Sequence, residues 1–328
     1  AFVYFCAKGL FELSTVFMSN IIIHIGFPKT ATTTLQKVFM GYAPCAYLGK
    51  GVRDTMLPSL SLDIAGAVLF ADTRRFKEKA PELRDEIAKS AAATPCLMLS
   101  DEAFSFAVHM EIGHHWRCNT ITDHEVIADR LAQLCPEARV LMATRNQFSF
   151  LQSFFRQRVK RNSINVDFET FIAGTLAATA HRSMLHALLY DEALEAYESR
   201  FGADRVMLSA YESYQSDFGS YLASVAQFCQ LDPADLTKAW GGVHANKAKS
   251  HRERPAVRKL RSNIPRPLKK IVPKRIRSEL ALAVALPPVP TTFSGAHEKA
   301  ITAFFAPSNS ALARRTGFDL DQWGYPLP

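Results

Sequence analysis

Residues 21–36 read IIIHIGFPKTATTTLQ: three isoleucines and a histidine run into Gly26, Phe27, Pro28 and Lys29, and a cluster of hydroxyls follows. The apolar run from Asn20 to Ile25 does not alternate, which predicts a parallel strand buried on both faces. A helix is predicted from Thr32 to Met40, stopping near Gly41. Strand, tight loop and helix in this order make an anion cradle. Backbone N–H groups at a helix N-terminus join Lys29 and the hydroxyls of Thr32, Thr33 and Thr34, and Pro28 stiffens the entry.

The loop is not one for a nucleoside triphosphate. That pattern is G-x-x-x-x-G-K-[ST]. Counted from Gly26, the sixth position is Ala31 and the lysine, Lys29, stands at the fourth. An ATPase or GTPase is therefore disfavoured. A P-loop kinase with a degenerate loop is the alternative enzyme; it would need a strand-end aspartate for magnesium, and Asp101 is the one available.

Working outward, strand and helix signals alternate through the first 230 residues. Helices are expected over Glu82–Ala93, Asp123–Leu134 (capped by Thr122 or Asp123), Gln147–Arg161 and Leu188–Arg200. Strands are expected over Cys96–Leu99, Ala138–Thr144 and Arg205–Ser209. This implies an α/β fold of the P-loop type: three layers, with a central, mainly parallel sheet flanked by helices. In such sheets ligands bind beyond the carboxyl ends of the strands, where Lys29, Glu102 and Arg145 all fall. Segments 42–75 and 105–122 read as loops, and the last thirty residues return to a helical pattern.

Two stretches resemble the sulfotransferases that use 3′-phosphoadenosine-5′-phosphosulfate (PAPS). GFPKTATTTLQ is similar to their 5′-phosphosulfate loop, close to PKxGTTxLQ, with Ala31 in place of the usual glycine. VLMATRNQFSFLQSFF carries Arg145 and, eight residues on, Ser153, the spacing with which the family grips the 3′-phosphate. A guanidinium suits that task because it forks onto phosphate oxygens. Further on, GADRVMLSAYESY resembles the segment whose tyrosine, here Tyr211, lies near adenine. The tail NSALARRTGFDLDQWGYP resembles the bacterial, carbohydrate-type branch. The resemblance implies a donor site of Gly26, Pro28, Lys29, Thr30, Ala31, Thr32, Thr33, Thr34, Arg145, Ser153 and Tyr211, with Asn246 and Lys247 returning to it, and no metal.

Sulfuryl transfer needs a base for the acceptor hydroxyl and a cation for the leaving oxygen. Lys29 is the expected cation and Glu102 the expected base, delivered by the strand CLML to the same end of the sheet. The cytosolic branch carries a Lys-x-His pair at this strand end where this chain reads Ser-x-Glu, and carbohydrate-acting branches use a glutamate. A structural alternative makes Asp101 and Glu102 helix N-terminal carboxylates serving the dipole. His114 and His115 are the rival base, or metal ligands, while His24 is expected to be buried and hydrogen-bonded.

Composition narrows the rest. Six scattered cysteines form no CxxC pair and read as reduced thiols. Residues 1–18 are expected to be an extension ahead of a single domain, 19–328, with Met18 as the natural start. The net charge of +8 is local: Arg252–Arg277 holds eleven Lys/Arg and one acidic residue, so the remainder is near −2. Within the 251–290 insertion or lid, expected to form short helices, this run can lie on an anionic membrane surface or steer an anionic ligand. It contains no aromatic residue, which argues against nucleic acid. The expected acceptor is a carbohydrate or lipid-linked glycan, and the expected location the cytoplasm, at the inner face of the membrane. A non-enzymatic membrane-surface protein is the remaining alternative.

Overall fold

A computed structural model places Asn20–His24 (β1) in the middle of a five-stranded sheet in which every pairing is parallel. The structure describes residues 20–49, 59–105, 108–110, 118–120, 123–160, 164, 166–177, 184–215, 217–241, 252–253, 285–286 and 289–328. From one edge to the other the strands are Cys45–Gly49 (β2), Cys96–Ser100 (β3), β1, Arg139–Thr144 (β6) and Val206–Ala210 (β7). Val108–Met110 (β4) and Cys118–Thr120 (β5) form a separate antiparallel pair, as do Arg252–Glu253 (β8) and Ala285–Leu286 (β9).

Side chains on the central strands point alternately to two cores, as the period of two requires. Ile23, Leu97, Leu99, Val140 and Met142 face one core, and Ile22, Cys96, Met98 and Leu141 face the other. The second core is closed by Thr32–Gly41 (α1), Phe218–Phe228 (α9) and Pro233–Trp240 (α10), through residues such as Leu35, Phe39, Leu222 and Leu236. The first is closed by Ser59–Leu69 (α2), Thr73–Ala92 (α3), His124–Leu134 (α4), Gln147–Lys160 (α5), Phe168–Ala177 (α6), Tyr190–Phe201 (α7) and the long Gly295–Thr316 helix (α11). The short α8, Tyr211–Gln215, follows β7 directly. This is the expected three-layer α/β arrangement.

Several boundaries differ from the sequence expectation. The helix expected from Glu82 begins at Thr73, where Asp72 accepts the Arg75 N–H at 2.8 Å, and Pro81 lies inside it. Proline removes the bond to the carbonyl four residues back; here that residue is Lys77, exposed like Pro81, so the break falls on the solvent side of the helix. Pro307 sits in α11 opposite exposed Ala303 by the same arrangement. Within the segment expected to be a loop over 42–75, residues 45–49 form the edge strand β2 and residues 59–69 form α2. Residues 1–18, and all of 251–290 apart from the β8 and β9 residues and 289–290, lie outside the described residues.

Candidate active site

All strand ends that carry candidate residues meet at one edge of the sheet, because every strand runs the same way. The chain leaves β1 toward the β2 edge and reappears on the other side of β1 as β6, so the strand order reverses at β1, the place where parallel sheets of this kind bind ligands.

The loop after β1 stays tied to the sheet. Ile25 N–H donates to Leu141 O at 2.9 Å and Phe27 N–H to Ala143 O at 3.2 Å. Phe27 is fully buried, edge-on to Tyr190 at 4.9 Å. Thr30 Oγ1 closes the turn on Phe27 O at 2.5 Å, and the Tyr214 hydroxyl donates to Thr30 O. Lys29 (φ 71°) and Ala31 (φ 57°) are both left-handed. Such backbone costs about 1–3 kcal/mol per residue and collects at ligand clamps. Ala31, at the position where the resembled loop has glycine, thus holds the left-handed backbone that glycine adopts most readily. Pro28, Lys29, Ala31 and Thr33 are half-buried at the surface of the loop, while Gly26, Thr30, Thr32 and Thr34 are buried.

Ala31 gives α1 no side-chain cap, whereas Asp72, Asp123, Asp217, Asp232 and Ser294 cap α3, α4, α9, α10 and α11. The first-turn N–H groups of a helix have no partner within the helix. At α1 the Thr34 and Leu35 N–H groups turn back to Ala31 O, at 2.7 and 3.4 Å, beside the loop that holds Lys29.

Beneath the loop His24 is buried, with Nδ1 2.8 Å from Ser100 Oγ, and Gln36 Nε2 donates to the same hydroxyl at 3.2 Å. Desolvation lowers the His24 pKa to about 4, so the ring is neutral. This support joins β1, β3 and α1; the sequence anticipated a buried, hydrogen-bonded His24 but not its partners Ser100 and Gln36.

Glu102 opens a 3₁₀ turn, Glu102–Phe104, directly after β3. It accepts a hydrogen bond from Thr32 Oγ1, so that hydroxyl is committed to the candidate base instead of facing an anion. Asp101 accepts the Ala103 N–H at 2.9 Å and acts as the cap of the turn. Of the two carboxylates, Asp101 thus serves as the cap and Glu102 meets the loop through Thr32.

Arg145 reaches across from β6. Its Nη1 donates to Lys29 O at 2.8 Å, its Nε to Ser149 Oγ at 2.8 Å, and its guanidinium lies 4.5 Å from the Tyr211 ring centre. A cation over a tyrosine face contributes about 0.5–2 kcal/mol. Ser153, expected to share the 3′-phosphate with Arg145, lies one turn further along α5 and is half-buried, while the hydroxyl that accepts from the guanidinium is that of Ser149. The signal for Ser149 was a serine four residues after Arg145, one helical turn away. Asn246, Lys247, His114 and His115 lie outside the described residues. Among the described residues, no group of three or more His, Cys, Asp or Glu could hold a metal ion, and no helix is long and apolar enough to cross a membrane.

The profile described as "Sulfotransferase family" matches residues 21–235. Among solved structures, the chain resembles a sulfotransferase from Alicyclobacillus acidocaldarius at 13% identity and a TM-score of 0.53, covering 92% of this chain and 97% of that one. The sulfotransferase domain of the Synechococcus PCC 7002 olefin synthase matches at 14% identity and a TM-score of 0.42, over 73% and 82% of the two chains. A mouse sulfotransferase complexed with PAP matches at 14% identity and a TM-score of 0.40, over 71% and 68%. No curated protein matches the sequence.

Proposed function

The chain belongs to the sulfotransferase family, and from that premise we propose that it transfers a sulfuryl group from PAPS to a hydroxyl or amino acceptor on a carbohydrate or lipid-linked glycan. The observation that carries the donor reading is the 2.8 Å hydrogen bond from Arg145 to the Lys29 carbonyl, which joins the two signature stretches in one site. An uncapped helix N-terminus, a lysine, an arginine and a tyrosine face fit the charges and the ring of such a donor.

PAPS, when bound, supplies the sulfuryl group and departs as adenosine 3′,5′-bisphosphate. Sulfur's bond to the phosphate oxygen breaks as its bond to the acceptor oxygen forms. The α1 N-terminus and Thr33 would hold the 5′ end, and Arg145 with Ser153 the 3′-phosphate, Ser149 fixing the guanidinium. Lys29 would neutralise charge on the leaving oxygen. Glu102 would take the acceptor's proton, oriented by the Thr32 hydroxyl. Positioning and charge stabilisation would do most of the catalysis, as in phosphoryl transfer.

The basic run 252–277, with eleven Lys/Arg, extends the proposal to a peripheral position on an anionic membrane at its cytoplasmic face. Co-sedimentation with anionic but not neutral vesicles is the expected behaviour. The donor reading is tested by thermal stabilisation: adenosine 3′,5′-bisphosphate should raise the melting temperature, and ATP–Mg²⁺ should not. A response to ATP–Mg²⁺ alone would overturn it in favour of a kinase.

A further inference from the structure

Asn146 lies 177 residues from Trp323 in the chain, yet its Nδ2 donates to the Trp323 carbonyl at 2.9 Å and to the Gly324 carbonyl as well. We propose that the segment Trp323–Tyr325, acting through Asn146 and Glu212, is a brace that positions Arg145 for the 3′-phosphate of the donor. The inference rests on the donor reading above.

The peptide groups on both sides of Arg145 are fixed. The buried Tyr190 hydroxyl donates to the Arg145 carbonyl at 2.7 Å. Glu212 Oε1 accepts the Asn146 N–H at 2.9 Å. Tyr325, buried, donates its hydroxyl to Glu212 Oε2 at 3.1 Å and stands 3.4 Å from Thr144 Oγ1. One tyrosine from the tail thus holds the carboxylate that holds the backbone beside Arg145.

Asn146 serves both ends. Its Oδ1 accepts the Ser149 N–H at 3.1 Å at the head of α5, while its Nδ2 grips the tail. Ser149 Oγ in turn accepts from Arg145 Nε and donates to Asn146 O at 3.0 Å. A second tie lies one residue further on. Gln147 Nε2 donates to Asn309 Oδ1 at 2.8 Å, and Asn309 Nδ2 donates to Pro326 O at 2.9 Å. The tail's hydrogen bonds therefore converge on the residues flanking the arginine. Burial raises the Glu212 carboxyl above the ordinary range, and the Asn146 N–H, the Tyr325 hydroxyl and the nearby Arg145 charge oppose that rise. The carboxylate consequently depends on the groups it organises.

The test compares adenosine 3′,5′-bisphosphate with adenosine 5′-monophosphate, which lacks the 3′-phosphate, by calorimetric titration of the full chain. The variants are Asn146→Ser, which keeps a helix-capping oxygen, Glu212→Gln and Tyr325→Phe. Arg315→Gln, which breaks an ion-pair cluster with Glu195 and Glu198 on α7, is the control. In the brace variants the bisphosphate Kd should rise roughly 5- to 30-fold, the effect of unmaking a buried hydrogen bond. The monophosphate Kd should stay put, and Arg315→Gln should change neither.

Brace variants that keep the wild-type preference for the bisphosphate, or that weaken both nucleotides equally, overturn the inference. A wild-type chain with no preference overturns the donor reading and the brace with it. Tyr325→Phe keeps the buried ring and removes only a hydroxyl, so it decides the matter if the other variants fail to fold.

Discussion

Gly26 has no side chain because none fits: an added Cβ would stand 2.7 Å from His24 Nε2 and 2.8 Å from Thr32 Cγ2. Both neighbours are buried, and both support the loop, one through Ser100 and the other through Glu102. Gly26→Ala should cost about 1–3 kcal/mol, the usual range for overpacking, measurable by denaturant unfolding. It should also weaken bisphosphate binding, since the displaced atoms lie directly under the cradle. Unchanged stability would mean that the loop floor is slack. Lys29→Ala should abolish transfer and leave the melting temperature intact, since the side chain is half-buried at the loop surface. Glu102→Gln should slow the chemical step by roughly 10²–10⁴-fold, read from single-turnover kinetics. An unchanged rate would move the base to another group.

At the scale of elements, α1 opens without a side-chain cap, as α7 does, but it alone does so at the loop that holds Lys29. Ala31→Asp would supply one, and aspartate tolerates the left-handed backbone at φ 57° better than most residues. The new carboxylate would satisfy the first-turn N–H groups and favour the helix dipole. Stability should hold or rise while stabilisation by adenosine 3′,5′-bisphosphate disappears, as a thermal shift assay would read directly. Binding that survives the substitution would remove the helix N-terminus from the donor site. The same comparison explains an element that the sequence did not reveal: α3 starts nine residues before the expected Glu82, because Asp72 caps it and Pro81 faces water.

At the scale of the molecule, acid sensitivity should follow from two buried histidines. Desolvation lowers His24 and His124 to about 4. In the unfolded chain each returns to about 6.5. Between those values the unfolded chain binds more protons than the folded one, so stability is full above about pH 6.5 and falls as the pH drops toward 4. The melting temperature should decline from pH 7 to pH 5, and His24→Asn should flatten part of that slope. A wild-type melting temperature flat over this range would contradict the neutral, buried placement of both rings.

Four of the five strands of the sheet and the loop after β1 were legible in the sequence because their determinants are local; the edge strand β2 was not. A continuous apolar run ends at a glycine, a lysine and hydroxyls follow, and short-range sterics leave such a stretch few conformations. Arg145 was legible for the same reason, as the residue after a strand. The sequence by itself thus determined the α/β alternation, the family and the strand ends that would carry the chemistry. Which residues meet at those ends was decided by tertiary structure. Thr32 turning to Glu102, Arg145 reaching the Lys29 carbonyl, Tyr211 lying under the guanidinium and the tail returning to Asn146 are contacts between segments far apart in the chain. Hydrogen bonds depend on distance and angle in space, and no pattern of spacing along a chain carries that information across 177 residues.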